Sequence, residues 1–180
     1  MTDHDSAFEV AYGSDVPGSE DRTLVAVFAS PVARFLLAYG KDLGYRPLLV
    51  DPLGEPTGAE DFVVPVRPTM PALDNGTDVV VTDHHRSELG TMLRDALAGN
   101  PRWVGVMGNP RHPGPHIQAL RELGVHAADI DRVHRPVGLN IGSRAPAEIA
   151  IAALAGLIAD RNQRPGGFEF PSTPAGTTPA

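Results

Sequence analysis

Residues 25–34 read Val-Ala-Val-Phe-Ala-Ser-Pro-Val-Ala-Arg, or VAVFASPVAR. An apolar run enters a tight turn, and apolar residues at helical spacing continue to Leu43. This is how a βαβ unit of the dinucleotide-binding kind begins. In such units glycines fill the turn, because a missing Cβ lets phosphate oxygens reach backbone N–H groups at the helix N-terminus. Here Ala29, Ser30, Pro31 and Ala33 stand in the turn. Pro31 removes one N–H, and the Ala33 methyl falls where the helix packs closest to the strand. The shape is kept while the usual basis for tight pyrophosphate binding is weakened. The helix end still carries the positive pole of its dipole, so Ala29 and Ser30 are candidate contacts for an anion.

Reading outward, short apolar runs alternate with helical patterns. The sequence predicts strands at Leu24–Phe28, Pro47–Val50, Phe62–Val66, Asp78–Thr82 and Trp103–Met107. Pro65 places the Phe62–Val66 strand at an edge. Helices are predicted at Val32–Leu43, Ser87–Ala98, His116–Leu123 and Pro146–Arg161, with a short one at Ala127–Val133. Gly44 and Gly124 close two of them. Continuous apolar strands separated by helices imply an α/β, Rossmann-like three-layer sandwich around a mainly parallel sheet of about five strands. Residues 22–162 form this domain. Residues 1–21 read as a flexible arm and residues 163–180, rich in Pro, Gly and Thr, as a disordered tail.

Composition narrows the function. A net charge of −7 with no basic run argues against nucleic acid as a partner. The absence of cysteine excludes disulfides, thiolate metal sites, a cysteine nucleophile and a persulfide carried on the chain. The N-terminal MTDHDSAFEV lacks the layout of a signal peptide, and Ile149–Ala159 is too short an apolar run to span a bilayer. A cytoplasmic protein without membrane association is expected.

In a parallel sheet the ligand crevice lies beyond the carboxyl ends of the strands, where strand order reverses. The candidates are therefore the residues just after each strand. Asp51 follows the second strand about 20 residues after the first turn, where an acid holds a ribose diol or serves as a turn acid before Pro52. Thr82, Asp83, His84 and His85 follow the fourth strand. Adjacent histidines on a strand end point to different sides, so one histidine facing a ligand, or capping the helix that follows, is favoured over a metal chelate. Gly108, Asn109 and Arg111, with His112 and His116, belong to a proline-rigid loop that lines the crevice or faces water. Arg144 precedes the last helix and fits an anion site. The loop before it, Val133–Arg144, alternates apolar residues with Gly138 and Gly142, which suits both a ligand wall and a structural tuck.

Four stretches, TDVVVTDHH, RWVGVMGNPR, LRELGV and RVHRPVGLNIGSRAPAEIAIAALAGLIADR, together resemble the C-terminal Rossmann domain of the xanthine dehydrogenase accessory protein (XdhC/CoxI) family over roughly residues 23–162. PVGLNIGSRAPAEIA is the most specific part. Asp51, Thr82, His85, Glu88, Gly105 and Gly108 match the family pattern, as do Pro136, Gly138, Leu139, Ile141, Gly142, Arg144, Pro146 and Glu148. The family's Gly-x-Gly-x-x-Gly turn, its His-Asp-His turn, its basic run after Gly108 and its helix-capping Ser/Thr are replaced here. Ala29–Ala33, Asp83-His84-His85, a loop keeping Arg111, and Ala145 stand in their places. The N-terminal domain of longer members is expected to be absent.

The resemblance implies an accessory protein for a molybdenum hydroxylase such as xanthine or carbon monoxide dehydrogenase. It would bind molybdenum cofactor for sulfuration or insertion and turn over no substrate itself. The implied partners are the client hydroxylase and the cofactor-sulfurating enzyme, and a homodimer is a further expectation. NAD(P) is a weaker cofactor candidate because of the altered turn. The alternatives are a nucleotide-dependent oxidoreductase or sensor, and a dimeric scaffold with a vestigial ligand site.

Overall fold

The computed structural model describes residues 22–54, 64–108 and 114–167. Six strands form one sheet, β1 (Thr23–Val27), β2 (Arg46–Val50), β3 (Val66–Arg67), β4 (Thr77–Val81), β5 (Trp103–Val106) and β6 (Val133–His134), in the order β3-β2-β1-β4-β5-β6. Every pairing is parallel. The helices are α1 (Pro31–Asp42), α2 (Leu89–Ala98), α3 (Pro115–Glu122), α4 (Ala127–Ile130) and α5 (Pro146–Arg161).

The period of two along the strands sorts the core into two layers. Val25 and Val27 of β1, with Val79 and Val81 of β4, pack against Leu93, Leu97 and Leu120 on one face. Leu24 and Ala26, with Val80, pack against Leu36, Leu37, Leu154 and Leu157 on the other. So α2, α3 and α4 cover one side of the sheet and α1 and α5 the other, which is the expected three-layer arrangement. No helix among the described residues is long and apolar enough to cross a membrane.

The sixth strand corrects the expected count. Val133–His134 pairs with Val104 and Gly105 in a run too short to show an apolar pattern. The His134 ring stacks on Trp103 at 4.9 Å. The edge strand lies at Val66–Arg67, just past Pro65, while Phe62 and Val63 fall outside the described residues. Helix α2 begins at Leu89 rather than Ser87, after a turn in which Leu89 N–H bonds the Arg86 carbonyl.

Opposite the carboxyl end of the sheet, an ionic cluster closes its base. Asp78, at the start of β4, is fully buried. It accepts hydrogen bonds from Arg102 Nε (2.6 Å), Arg161 Nη2 (3.0 Å) and the Tyr45 hydroxyl (3.2 Å). Arg102 also pairs with Asp160 near the end of α5. Burial, then the Asp78 carboxylate, raise the Tyr45 phenol above its usual range. This cluster ties β4, β5 and the last turn of α5 together.

Candidate functional site

The register aligns Val27 with Val50 and Val81, and Val81 with Val106. Phe28, Asp51, Thr82 and Met107 therefore leave the sheet at one level. Strand order reverses at the neighbours β1 and β4, so the crevice opens there.

The first turn is built without glycine. Phe28 adopts a left-handed backbone (φ 71°), costing roughly 1–2 kcal/mol for a residue with a Cβ. Three contacts hold it. The Phe28 ring is buried beneath the Arg86 guanidinium, 4.8 Å from its centroid. Ala29 N–H donates to Asp51 Oδ2 at 2.9 Å. Ser30 caps α1 by accepting from Ala33 N–H at 3.0 Å, and its hydroxyl donates to Thr82 Oγ1 at 3.0 Å. Thr82 in turn donates to the Phe28 carbonyl at 2.8 Å. This relay of hydroxyls joins β1 to β4 across the switch point.

Asp51 is nearly fully buried. Besides Ala29, it accepts from Leu53 N–H at 3.1 Å and meets Arg86 Nη2 at 3.4 Å. Its carboxylate braces the first turn from within. Pro31 has no N–H and Ala33 donates to Ser30, so Val32 supplies the remaining amide donor of the first helical turn.

The main cavity lies beside this turn and has a volume of about 710 Å³. Thr82, His84, Met107 and Gly108 line it from the strand ends, Val32 from α1, and Ile149 and Ala152 from α5. Its longest wall is the continuous segment Pro136–Arg144. Gly138 holds that wall in place. At φ +86° its backbone lies so close to α5 that a Cβ would stand 2.7 Å from Ala152 C and Ala153 N. Leu139 N–H donates to the Ala152 carbonyl at 3.1 Å. On the helix side Gly156 meets Gly138, leaving 2.9 Å between a Cβ there and Gly138 Cα. Gly142 also has a positive φ (+69°), but nothing lies within 4 Å of a Cβ there.

Ala145 stands at the N-cap of α5 with no side-chain cap bond, and Ser143 lies two residues before it. The Ser143 hydroxyl accepts from Ala145 N–H at 3.0 Å and bonds the Glu148 carboxylate.

The histidine turn differs from the expected geometry. His84 and His85 occupy a turn, not the strand, and their ring centroids are 4.0 Å apart. Period-two alternation does not apply there. His84 lines the cavity while His85 is exposed, its N–H held by Asp83 Oδ1 at 2.9 Å. Burial, then the charges of His85 and Arg135, push His84 below the ordinary histidine value, against the opposing charge of Asp83. Gly108 makes room for Arg135, whose Nε and Nη2 would lie 2.9 Å from a Cβ at that position. Among the described residues no group of three His, Asp or Glu side chains is placed to hold a metal.

Thr82, His84, Gly108 and Arg144 thus meet at one cavity. Ala29, Ser30 and Asp51 form the neighbouring turn, and Asp83 shapes the histidine turn. Asn109, Arg111 and His112 lie outside the described residues. His116 is buried beneath Gly114 rather than in the cavity. Burial, then the Arg135 charge, lower its pKa from 6.5, so the unfolded chain binds the proton more readily. The His116 contribution to stability is full above about pH 6.5 and declines as pH falls until the ring protonates in the folded state. Two-dimensional NMR is expected to give a His116 midpoint below 6.5, and His116→Gln to flatten the loss of denaturant stability below neutral pH. A midpoint at or above 6.5 would refute this.

Comparison with known proteins agrees with this geometry. The model of the XdhC Rossmann domain matches residues 24–157. The Escherichia coli (strain K12) protein YqeB, described as uncharacterized, is 34% identical over 132 residues, covering 73% of this chain and 24% of YqeB. A crystal structure described as a xanthine dehydrogenase from Bacillus halodurans superposes with a TM-score of 0.62 at 20% identity, over 85% of this chain and 45% of that one, a likeness of fold. The chain spans about a quarter of YqeB and under half of the Bacillus protein. With most of its length matched by the family model, and with the VGLNIGSR wall built into its crevice, the chain belongs to the XdhC Rossmann-domain family.

Proposed function

We propose that this chain is an accessory protein for a molybdenum hydroxylase, and that its crevice holds molybdenum cofactor for sulfuration or insertion. The observation that carries this reading is the cavity wall. Pro136–Arg144, the segment that carries the family resemblance, is also the longest wall of the cavity at the switch point.

The residues fit such a ligand. Val32, Met107, Leu139 and Ile141 provide apolar sides for a planar ring system, while His84, Asn140, Ser143 and Arg144 provide polar atoms. Few convergent polar groups on apolar walls is the usual make-up of a small-molecule site. The bound cofactor supplies redox chemistry to the client enzyme. This chain's own side chains position it and limit its contact with water. NAD(P) is the poorer fit, because Ala29 N–H is taken by Asp51 and Pro31 offers none. The partners under this reading are the client hydroxylase, the enzyme that supplies sulfur, and a second copy of the chain.

Purification from cells that synthesise the cofactor tests the reading. After oxidation, the fluorescent pterin derivative is expected at near one per chain, and well below that from a strain blocked in pterin synthesis. A preparation free of pterin from both strains would contradict it.

A further inference from the structure

Between α1 and α5 a second hollow of about 400 Å³ opens to solvent, and it shares no lining residue with the crevice cavity. Tyr39 and Leu43 form one bank, Ile151, Ala155 and Ile158 the other. Asp42 is the one charged residue among the described residues that line it. Helices packed on a sheet carry a polar outer face. From Ala147 to Ala159, however, the one charged residue of α5 is Glu148. Ile151 is 56% exposed and Leu43 45%. Ile151, Ala155 and Ile158 follow one another at spacings of four and three, so they make a continuous apolar stripe about 10 Å long.

The course of the chain after α5 points to what covers this stripe. Gln163 takes a left-handed backbone (φ 55°), and Arg164 N–H donates to the Ala159 carbonyl at 2.8 Å. The chain thereby reverses and runs back over the helix it has just left. Gly166 lies against Ala159, where a Cβ would stand 2.9 Å from the Ala159 Cβ. Ala159 and Ala155 are neighbours on one face of α5, roughly 6 Å apart along the axis. The chain therefore leaves the described residues, at Gly167, about one helical turn from the groove. Next come Phe168, Glu169 and Phe170, and then a stretch of Pro, Ser, Thr, Ala and Gly. Phe168 and Phe170 are the only Phe, Tyr or Trp residues after Trp103.

We propose that the groove between α1 and α5 is covered by this chain's own Phe168–Phe170 segment, with both rings laid along the stripe from Ile151 to Ile158. In an extended segment alternate side chains fall on one side, roughly 7 Å apart. Two rings so spaced cover a stripe of this length and leave Glu169 facing water, away from Asp42. Each ring buries on the order of 150 Å² or more. The short tether from Gly167 makes the contact intramolecular and gives the rings a high effective concentration at the groove, whereas a second copy would supply its cover from solution.

The test is methyl NMR on the full chain, labelled at its six isoleucines. Ring currents are expected to shift the Ile151 and Ile158 methyl signals upfield, with nuclear Overhauser contacts to phenylalanine ring protons. Replacing both rings, Phe168→Ala with Phe170→Ala, is expected to return the two signals downfield. Ile117 and Ile130, on the helices of the opposite face, should stay in place and report an intact fold. As a second measurement, chymotrypsin is expected to cut after Phe168 and Phe170 about tenfold faster in Ile151→Asp than in the parent, equivalent to roughly 1.4 kcal/mol of protection. Ile151 is more than half exposed, so that variant keeps its core. Ile117→Asp, at a partly exposed site on α3, should leave the cutting rate unchanged. Unmoved Ile151 and Ile158 signals in the double alanine variant overturn the proposal, as does equal cutting of the parent and Ile151→Asp. Signals that move on dilution of the parent also overturn it, because they assign the groove to a second copy.

Discussion

Asp78→Ala is expected to cost about 3–5 kcal/mol of folding stability, the range for removing one partner of a buried ion pair. The carboxylate is fully buried, and two guanidiniums and a phenol converge on it. Without it, Arg102 and Arg161, whose side chains are only 19% and 21% exposed, face each other with no anion between them. Arg102 keeps Asp160, which moderates the loss. For a domain of this size the change corresponds to a fall in Tm of roughly 10 °C. Asp78→Asn keeps an acceptor and should fall between the parent and Asp78→Ala. The cluster lies at the opposite end of β4 from the crevice, about 13 Å from Thr82 at the rise of a strand. Ligand affinity measured below the melting transition should therefore be unchanged. A loss below 1 kcal/mol by urea denaturation would show that the cluster is not a structural tie.

Gly138→Ala is expected to damage both stability and the crevice. A left-handed backbone costs an alanine about 1–2 kcal/mol. The added methyl would also stand 2.7 Å from the backbone of Ala152 and Ala153, which cannot move without moving α5. Overpacking of that kind costs a further 1–3 kcal/mol or so. The loop's escape is to lift off the helix, breaking the Leu139 to Ala152 hydrogen bond and displacing the wall from Val137 to Arg144. Gly142→Ala is the control. It bears the same backbone penalty with open space around the methyl, so about 1–2 kcal/mol is expected and the wall should stay in place. Comparable losses of ligand affinity in the two variants would mean that the Gly138 contact does not position the wall.

Much of this fold is readable from the sequence, because central strands buried on both faces are continuous apolar runs and three of the five described helices begin with proline. LVAV, PLLV, DVVV and WVGV each lie in a strand, with Phe28 turning out of the first, and Pro146–Arg161 is α5 with the expected bounds. Val133–His134 did not show, since two residues carry no periodicity and both the pairing with β5 and the stacking of His134 on Trp103 join residues about 30 apart in the chain.

At the site, position along the chain was easier to read than side-chain partnership. The rule that ligands bind beyond the strand ends located Thr82, His84 and Gly108 at the cavity. It could not tell that Asp51 turns inward to brace Ala29, because that bond spans 22 residues and depends on the unusual Phe28 backbone. The segment from Pro136 to Ser143 was recognisable for its glycines, yet its place as the main wall follows from the Gly138–Gly156 contact, which joins two distant glycines. Asp78 carried a readable signal, an acid opening a strand of valines. A buried charge in that setting requires a cation, although the sequence does not say which arginines supply it.

The most direct test of the account is an anaerobic equilibrium titration of the purified chain with molybdenum cofactor, repeated in the presence of excess NAD. Saturable binding at one cofactor per chain that NAD does not displace is expected, because the proposed cofactor site runs along the Pro136–Arg144 wall and the first turn offers little to a diphosphate. No saturable binding in either condition, or displacement of the cofactor by NAD at comparable concentration, would contradict it.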